Sequence, residues 1–303
     1  MRTCPRTLSL LLRASMLLLV ASLLAPSASA ANAFITATDV VNIRICPATD
    51  CEIVATASLG EPLEVIGNTV NGYVPVVYNG IKGFAYALFV ADQTKDIWFT
   101  QGEAGCQRVA FIFNIGVGYT PSQGVLDTLQ AYGVPATMFP MGNWAAANPG
   151  YLGQLAAAGF PIGTHGDQAL YLTGLSDSQI QGDLLNSVSA ISAVTGEPVI
   201  PWATPYAADT DPRVRRVIAQ LGYVPVGWTV SADDYSESAT ADGVYNRVVN
   251  GVSDGAIVEF HLDGPATDSS TGAALPAIIE TLRAAGYTFV TVPEMATPCG
   301  PAF

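Results

Sequence analysis

Short apolar runs alternate with helix-like segments from Cys106 onward, and this alternation restricts the possible folds of the chain more than any other feature. The runs Val109 to Phe113, Ala136 to Phe139 and Ala256 to His261 have the length of buried strands. Pro121 to Tyr132 carries apolar residues at helical spacing. Repeated strand and helix units predict one α/β domain with a parallel sheet, open or closed into a barrel.

Local signals predict the boundaries of further elements. Ser176, with Gln179 three residues later, predicts a capping box at the start of a helix that Gly196 ends. The remaining elements are helices over 150–158 and from Asp211 onward, and strands over 223–230 and 287–292.

A small all-β module is predicted ahead of this domain, over residues 34–92. The pairs Asn71-Gly72 and Asn79-Gly80 predict tight hairpin turns. In the runs 41–44, 60–65 and 71–84 the module resembles the bacterial SH3-like domain. That resemblance implies binding of cell-wall peptide or glycan, and a spacer role is the alternative. Residues 93–105 are predicted to be a linker, and 106–303 the second domain.

The first 30 residues predict export from the cell. Three arginines precede an apolar stretch from Met16 to Leu24, and Ala28-Ser29-Ala30 follows, as in a secretory signal peptide cleaved after Ala30. Cys4 lies ahead of the apolar stretch, so it is not a lipoprotein cysteine. Cleavage removes three positive charges and takes the net charge from −13 to −16. So acidic a chain argues against nucleic acid and anionic membranes as partners.

Four cysteines remain after the predicted cleavage: Cys46, Cys51, Cys106 and Cys299. In an oxidising compartment an even number favours disulfide bonds, and three pairings are possible. We favour Cys46 with Cys51, which closes a short loop, and Cys106 with Cys299, which ties the start of the second domain to its end. A metal site is the weaker interpretation because no histidine lies near these residues in the sequence.

Several motifs in order resemble the polysaccharide deacetylases of carbohydrate esterase family 4, the NodB-homology domain. They are Ile112 to Gly116 at the first strand end, Ala136 to Phe139, Ile162 to His165, and Leu172 to Ser176. The resemblance covers residues 106–296 and implies a distorted (β/α) barrel. It also implies a divalent metal such as zinc, held by an aspartate and two histidines, with a second aspartate as base and a late histidine as acid.

The residues at the corresponding positions depart from that chemistry. Asn114 stands at the position of the base, and Ile115 and Ala169 replace two metal ligands, which leaves His165 alone. The retained acid corresponds to His261, and Asp234 is the residue retained from the charged set of a separate motif, Ser231 to Tyr235. An orienting arginine is replaced by Ala203. We therefore expect no functional metal site and no metal cofactor.

Three functions remain open on the sequence. The first is a secreted, catalytically inactive member that binds cell-wall or chitin-like N-acetylated glycan, with Tyr206, Trp144 and Tyr235 as substrate-binding aromatics. The second is an active carbohydrate deacetylase whose site is rebuilt from the two histidines and four aspartates: Asp167, Asp233, Asp234 and Asp263. The third is a structural envelope protein.

Overall fold

The computed structural model describes residues 33–35, 40–58, 60–92, 97–208 and 210–299. The predicted signal peptide lies outside these residues. Within them, no helix combines the length and the apolar composition that a membrane crossing requires.

The N-terminal module is a single antiparallel sheet in the order β3-β2-β6-β5-β4-β1-β7. Its strands are β1 (Ala33–Ile35), β2 (Val40–Arg44), β3 (Ile53–Ser58), β4 (Pro62–Val65), β5 (Tyr73–Tyr78), β6 (Ile81–Tyr86) and β7 (Val90–Asp92). Asn79 and Gly80, with φ of 49° and 81°, form the two-residue turn between β5 and β6. Asn71 and Gly72 have the same conformation before β5. Both predicted turns are therefore present, and each uses asparagine and glycine because positive φ is required at both positions.

The second module is built on parallel strands with helices between them. Its strands are β8 (Arg108–Ile115), β9 (Ala136–Pro140), β10 (Trp202–Ala203), β11 (Val224–Pro225), β12 (Val230–Ser231), β13 (Ala256–His261) and β14 (Thr288–Val290). Its helices are α1 (Gln123–Tyr132), α2 (Gly142–Ala147), α3 (Pro149–Ala157), α4 (Asp177–Thr195), α5 (Pro212–Gln220), α6 (Ala241–Gly251), α7 (Ala273–Ala284) and α8 (Val292–Met295). Single-turn 3₁₀ segments lie at 172–174 and 206–208.

Strand β8 is the centre of this module. It pairs with β13 along one edge, and along the other with β14 at its start and β9 over the rest. Bridges from Met138 to Ile162 and from Thr164 to Ala203 extend the parallel pairing from β9 to β10, which pairs with β11. Every residue of β8 is buried, as expected for a parallel strand covered on both faces. The architecture is thus the predicted α/β barrel, with irregular strands, preceded by an all-β module.

Two predicted strands are shorter than expected. Residues 223–230 form two strands, β11 and β12, because Pro225 has no N–H to donate and Phe99 pairs with the carbonyl of Pro225 and the N–H of Gly227. The strand predicted to reach Val292 ends at Val290, because the Thr291 hydroxyl and Glu294 form a capping box that starts α8. The capping box of α4, from Ser176 and Gln179, is present as predicted.

Residues 97–102, which precede the second module in the sequence, pack against it and hydrogen-bond to it. Ile97 and Phe99 are buried in its core beside Trp202, and Gly102 donates its N–H to the carbonyl of Gly255. Disulfide bonds join Cys46 to Cys51 and Cys106 to Cys299, the pairing that the sequence favours.

Candidate functional site

A cavity of about 500 Å³ opens where the parallel strands end. Asn114 and Ile115 end β8, and His261 ends the neighbouring β13 directly beside Asn114. His165 follows the short stretch 162–164, which bridges β9 and β10. Its backbone N–H donates to the carbonyl of Pro140 at the end of β9. The parallel register thus brings all four side chains to the cavity, because the carboxyl ends of parallel strands share one edge.

The Asn114 side chain is held on both sides. It is 1% exposed, its Nδ2 donates to Oε1 of Glu259 at 3.1 Å, and its Oδ1 accepts from the Thr204 hydroxyl at 2.9 Å. An amide has no proton-accepting role near neutral pH, and this one is committed to structural hydrogen bonds. Asn114 therefore positions Glu259 and does not act as a base.

His165 is a neutral, oriented imidazole. It is 6% exposed, and burial lowers its pKa to about 4. Its Nδ1 lies 2.9 Å from the carbonyl oxygen of Thr204, and because a carbonyl only accepts, Nδ1 carries the proton. Nε2 is left with the lone pair, which makes this nitrogen a possible ligand atom.

A divalent metal does not fit the residues around His165. The other two ligand positions hold the hydrocarbon side chains of Ile115 and Ala169, both of which line the cavity. Across the described part of the chain, no group of three or more His, Cys, Asp or Glu residues is arranged to hold a metal ion. Since a protein zinc site needs at least three protein ligands, one imidazole is insufficient.

His261 is paired with a buried carboxylate. Its Nδ1 lies 2.9 Å from Oδ1 of Asp234, which is fully buried and also accepts from the backbone N–H of His261 and the Thr271 hydroxyl. Burial alone would lower the pKa of His261, but the hydrogen bond and charge of Asp234, with Glu259 and Asp263, raise it above its usual 6.5. His261 and Asp234 therefore form a hydrogen-bonded pair of fixed orientation.

Glu259 is a site residue that the sequence analysis did not single out. The residue is 6% exposed and lines the cavity, and its Oε1 lies 3.7 Å from Nε2 of His261. Burial raises its pKa, against hydrogen bonds from Ser231 and Asn114. Strand alternation offers the signal that could have found it, because residues two apart share a face and Glu259 lies two before His261.

The four aspartates of the rebuilt-site hypothesis do not converge. Asp234 alone contacts a site histidine. The Asp263 carboxylate accepts the backbone N–H groups of residues 116, 117 and 118 and so holds that loop. Asp233 pairs with Arg247 at 3.1 Å, and Asp167 is not among the residues that line the cavity.

Aromatic side chains line the cavity beside each histidine. The rings of Tyr206 and His165 are 5.9 Å apart, and those of Tyr235 and His261 are 5.7 Å apart. Tyr171, which is 72% exposed, lies edge-on to Tyr206 at 5.6 Å, and Trp228 also lines the cavity. Tyr206 and Tyr235 are thus brought to the site.

The structure does not bring Trp144 to the site. This residue is 5% exposed and belongs to the hydrophobic core, where its ring lies edge-on to that of Tyr151. The prediction that it binds substrate is corrected for a physical reason. Trp144 lies on α2, and the face of this short helix that carries Trp144 and Ala145 packs inward.

Comparison with known proteins identifies both modules. The family profile "Polysaccharide deacetylase" matches residues 101–226, and the profile "Bacterial SH3 domain" matches residues 39–91. A peptidoglycan-N-acetylglucosamine deacetylase of Bacillus cereus is 31% identical over 189 residues, which are 62% of this chain and 87% of the relative.

Two further matches are also to members of the deacetylase family and cover about two thirds of this chain. The peptidoglycan-N-acetylglucosamine deacetylase PgdA of Listeria monocytogenes is 30% identical over 62% of this chain, and the match spans only 39% of that relative's length. The solved structure of a CE4 family pseudoenzyme from Bacillus anthracis aligns with a TM-score of 0.60 and 22% identity, over 66% of this chain and 69% of that one. At that identity the solved structure shows a shared fold.

Proposed function

The chain belongs to the polysaccharide deacetylase family, carbohydrate esterase family 4, and we propose that it is an exported member that binds cell-wall amino-sugar glycan without metal-dependent deacetylation. The relatives are named as peptidoglycan deacetylases, which supports a cell-wall glycan as the ligand. The predicted signal peptide supports export. The SH3-like module supports a location at the cell wall, where it would add a second contact.

One observation carries the proposal of inactivity: the hydrocarbon side chains of Ile115 and Ala169 occupy the positions of two metal ligands. Without a metal, neither polarisation of the acetamide carbonyl nor activation of water is provided in the family's way. Loss of the electrophile and loss of the base each cost roughly 10²-fold or more in rate. The cavity with its aromatic walls is retained, and such walls suit the apolar faces of sugar rings.

Acetate release tests the catalytic half of the proposal. The purified protein is incubated with N-acetylated chito-oligosaccharide or peptidoglycan fragments, with added zinc or cobalt and with chelator. We expect no acetate above a heat-denatured control in any of these conditions. Chelator-sensitive release would overturn the proposal.

Retention on glycan tests the binding half. We expect the protein to be retained on chitin or on purified cell-wall material, and Tyr206→Ala to weaken retention because it removes a ring from the cavity wall. Tyr206→Phe keeps the ring and serves as the matched control, with retention close to that of the original protein. Absence of retention on both materials would leave the structural envelope role.

One observation favours a second candidate, the active deacetylase with a rebuilt site. Glu259 places a carboxylate 3.1 Å from the Asn114 amide, and so beside the position of the family's base. In that function Glu259 would take a proton from water and His261 would give one to the leaving amine. Chelator-insensitive acetate release that Glu259→Gln abolishes would establish this function.

A further inference from the structure

The Glu259 carboxylate has hydrogen-bonding capacity directed at the cavity. Oε2 accepts from the Ser231 hydroxyl at 2.7 Å and Oε1 accepts from Asn114 at 3.1 Å. An ionised carboxylate has about four acceptor positions, so these two donors leave about two for a ligand. The same two bonds fix the carboxylate in one orientation at the cavity wall.

The charge at the cavity is not balanced by the groups that line it. His165 is neutral, since its pKa is lowered to about 4 by burial. When His261 is protonated, its charge is matched by Asp234 at 2.9 Å, and when it is neutral that pair carries a negative charge. Among the described residues that line the cavity there is no lysine or arginine. Nε2 of His261 also lies 3.7 Å from Oε1 of Glu259, so a protonated His261 is shared by two carboxylates, and their combined charge exceeds that of the histidine by one.

The walls add a second preference for a cationic sugar. Tyr206 and Tyr235 stand beside the two histidines, with Trp228 also at the wall. Aromatic faces pack against sugar rings and attract cations within about 6 Å of the ring centre. A sugar that packs against these rings would occupy the same cavity that the Glu259 carboxylate lines.

An acetamido group is a poor partner for this carboxylate. It is neutral, and its methyl group would displace water from Glu259 without supplying a counter-charge, which is costly for a buried ion. A protonated amino group supplies both the charge and several N–H donors. Charge-assisted hydrogen bonds of this kind are about twice as strong as neutral ones.

We propose that the cavity selects an amino sugar with a free, protonated amino group, whose ammonium binds Glu259, so that the ligand is a deacetylated unit of the glycan. The inference rests on the proposed function as a glycan-binding protein and names which unit of the glycan occupies the cavity. A reaction that hydrolyses N-acetyl groups must then act before this protein binds. The protein thus binds the product of N-deacetylation.

The test compares two tetramers by isothermal titration calorimetry with the full-length protein, at pH 6 and 0.15 M salt. One is the β-1,4-linked glucosamine tetramer, and the other is its fully N-acetylated counterpart. We expect the glucosamine tetramer to bind at least about tenfold more tightly, in line with a hydrogen bond to a charged group. Glu259→Gln keeps the shape of the side chain and should remove that difference between the two tetramers.

A matched control excludes general attraction of a polycation to an acidic chain of net charge −13. Glu280→Gln makes the same change at an exposed residue on α7, outside the residues that line the cavity, and should preserve the tenfold difference. Equal or tighter binding of the N-acetylated tetramer by the unaltered protein would overturn this inference and leave the proposed function standing. Binding of neither tetramer would overturn the proposed function together with the inference.

Discussion

Nδ1 of His261 lies 2.9 Å from Oδ1 of Asp234, and the aspartate carboxylate is fully buried. The backbone N–H of His261 also donates to this carboxylate, so the strand end and the side chain are fixed by one acceptor. This pair is present although two of the family's metal-ligand positions hold the hydrocarbon side chains of Ile115 and Ala169. Its retention fits a site that still orients a ligand.

The charge state of the two histidines is directly measurable, because they are the only two in the chain. By NMR titration we expect His261 to titrate above pH 6.5, because of Asp234 and the other nearby carboxylates, and His165 near pH 4 because of burial. Asp234→Asn should lower the pKa of His261, because it removes the charge of the carboxylate bonded to Nδ1. Asp233→Asn, at a half-buried neighbour paired with Arg247, should change the pKa of His261 far less. A value below 6.5 for His261 in the unaltered protein would contradict this assignment.

Burial of neutral His165 predicts a loss of stability in acid. Its pKa falls from 6.5 in the unfolded chain to about 4 in the fold, so its protonation favours unfolding. The contribution is fully present above pH 6.5 and declines as the pH falls toward 4, by up to about 3 kcal/mol. Urea unfolding at several pH values should show a weaker pH dependence for His165→Gln than for the unaltered protein. Parallel curves would show that His165 is not the cause.

Restoring ligands should restore metal binding. Ile115→Asp with Ala169→His adds a carboxylate and an imidazole to Nε2 of His165 and completes a three-ligand set. We measure zinc affinity by calorimetric titration with zinc chloride. We expect the double variant to bind zinc more tightly than either single variant by a factor of about 10–100 or more. Loss of a residue that only supports a metal ligand already costs a factor of that size. Comparable zinc affinity in the unaltered protein would mean that a different set of ligands is present.

Trp144 and Tyr206 should separate stability from binding. Trp144→Ala removes a core side chain and should lower the free energy of unfolding by about 3–5 kcal/mol. Trp144→Phe keeps most of the buried ring, so retention on glycan should be unchanged. Tyr206→Ala, at the cavity wall, should have the larger effect on retention and the smaller one on denaturant unfolding. The reverse order of effects would place Trp144 in the binding surface after all.

Much of the fold could be predicted because its signals are local. The asparagine and glycine of the 79–80 turn, the capping box of Ser176 and Gln179, and the apolar run Val109 to Phe113 within β8 each report a structure formed by neighbouring residues. The strand over 223–230 was wrongly predicted to be continuous. Pro225 is a local sign of the interruption, but the pairing with Phe99, a partner more than a hundred residues away, could not be seen in the segment. Pairing across the sheet leaves no mark within the segment itself.

The sequence alone determined the residue types at the site, and isoleucine and alanine cannot act as metal ligands in any fold. It also determined the favoured disulfide partners and the strand ends that carry Asn114 and His261. Only the tertiary structure decided which carboxylates reach those residues. It brought Glu259 beside Asn114, turned Asp263 to a loop of backbone N–H groups, and buried Trp144. The physical reason is that a carboxylate's role depends on the donors and charges within a few ångströms of it, and strands distant in the sequence supply those neighbours.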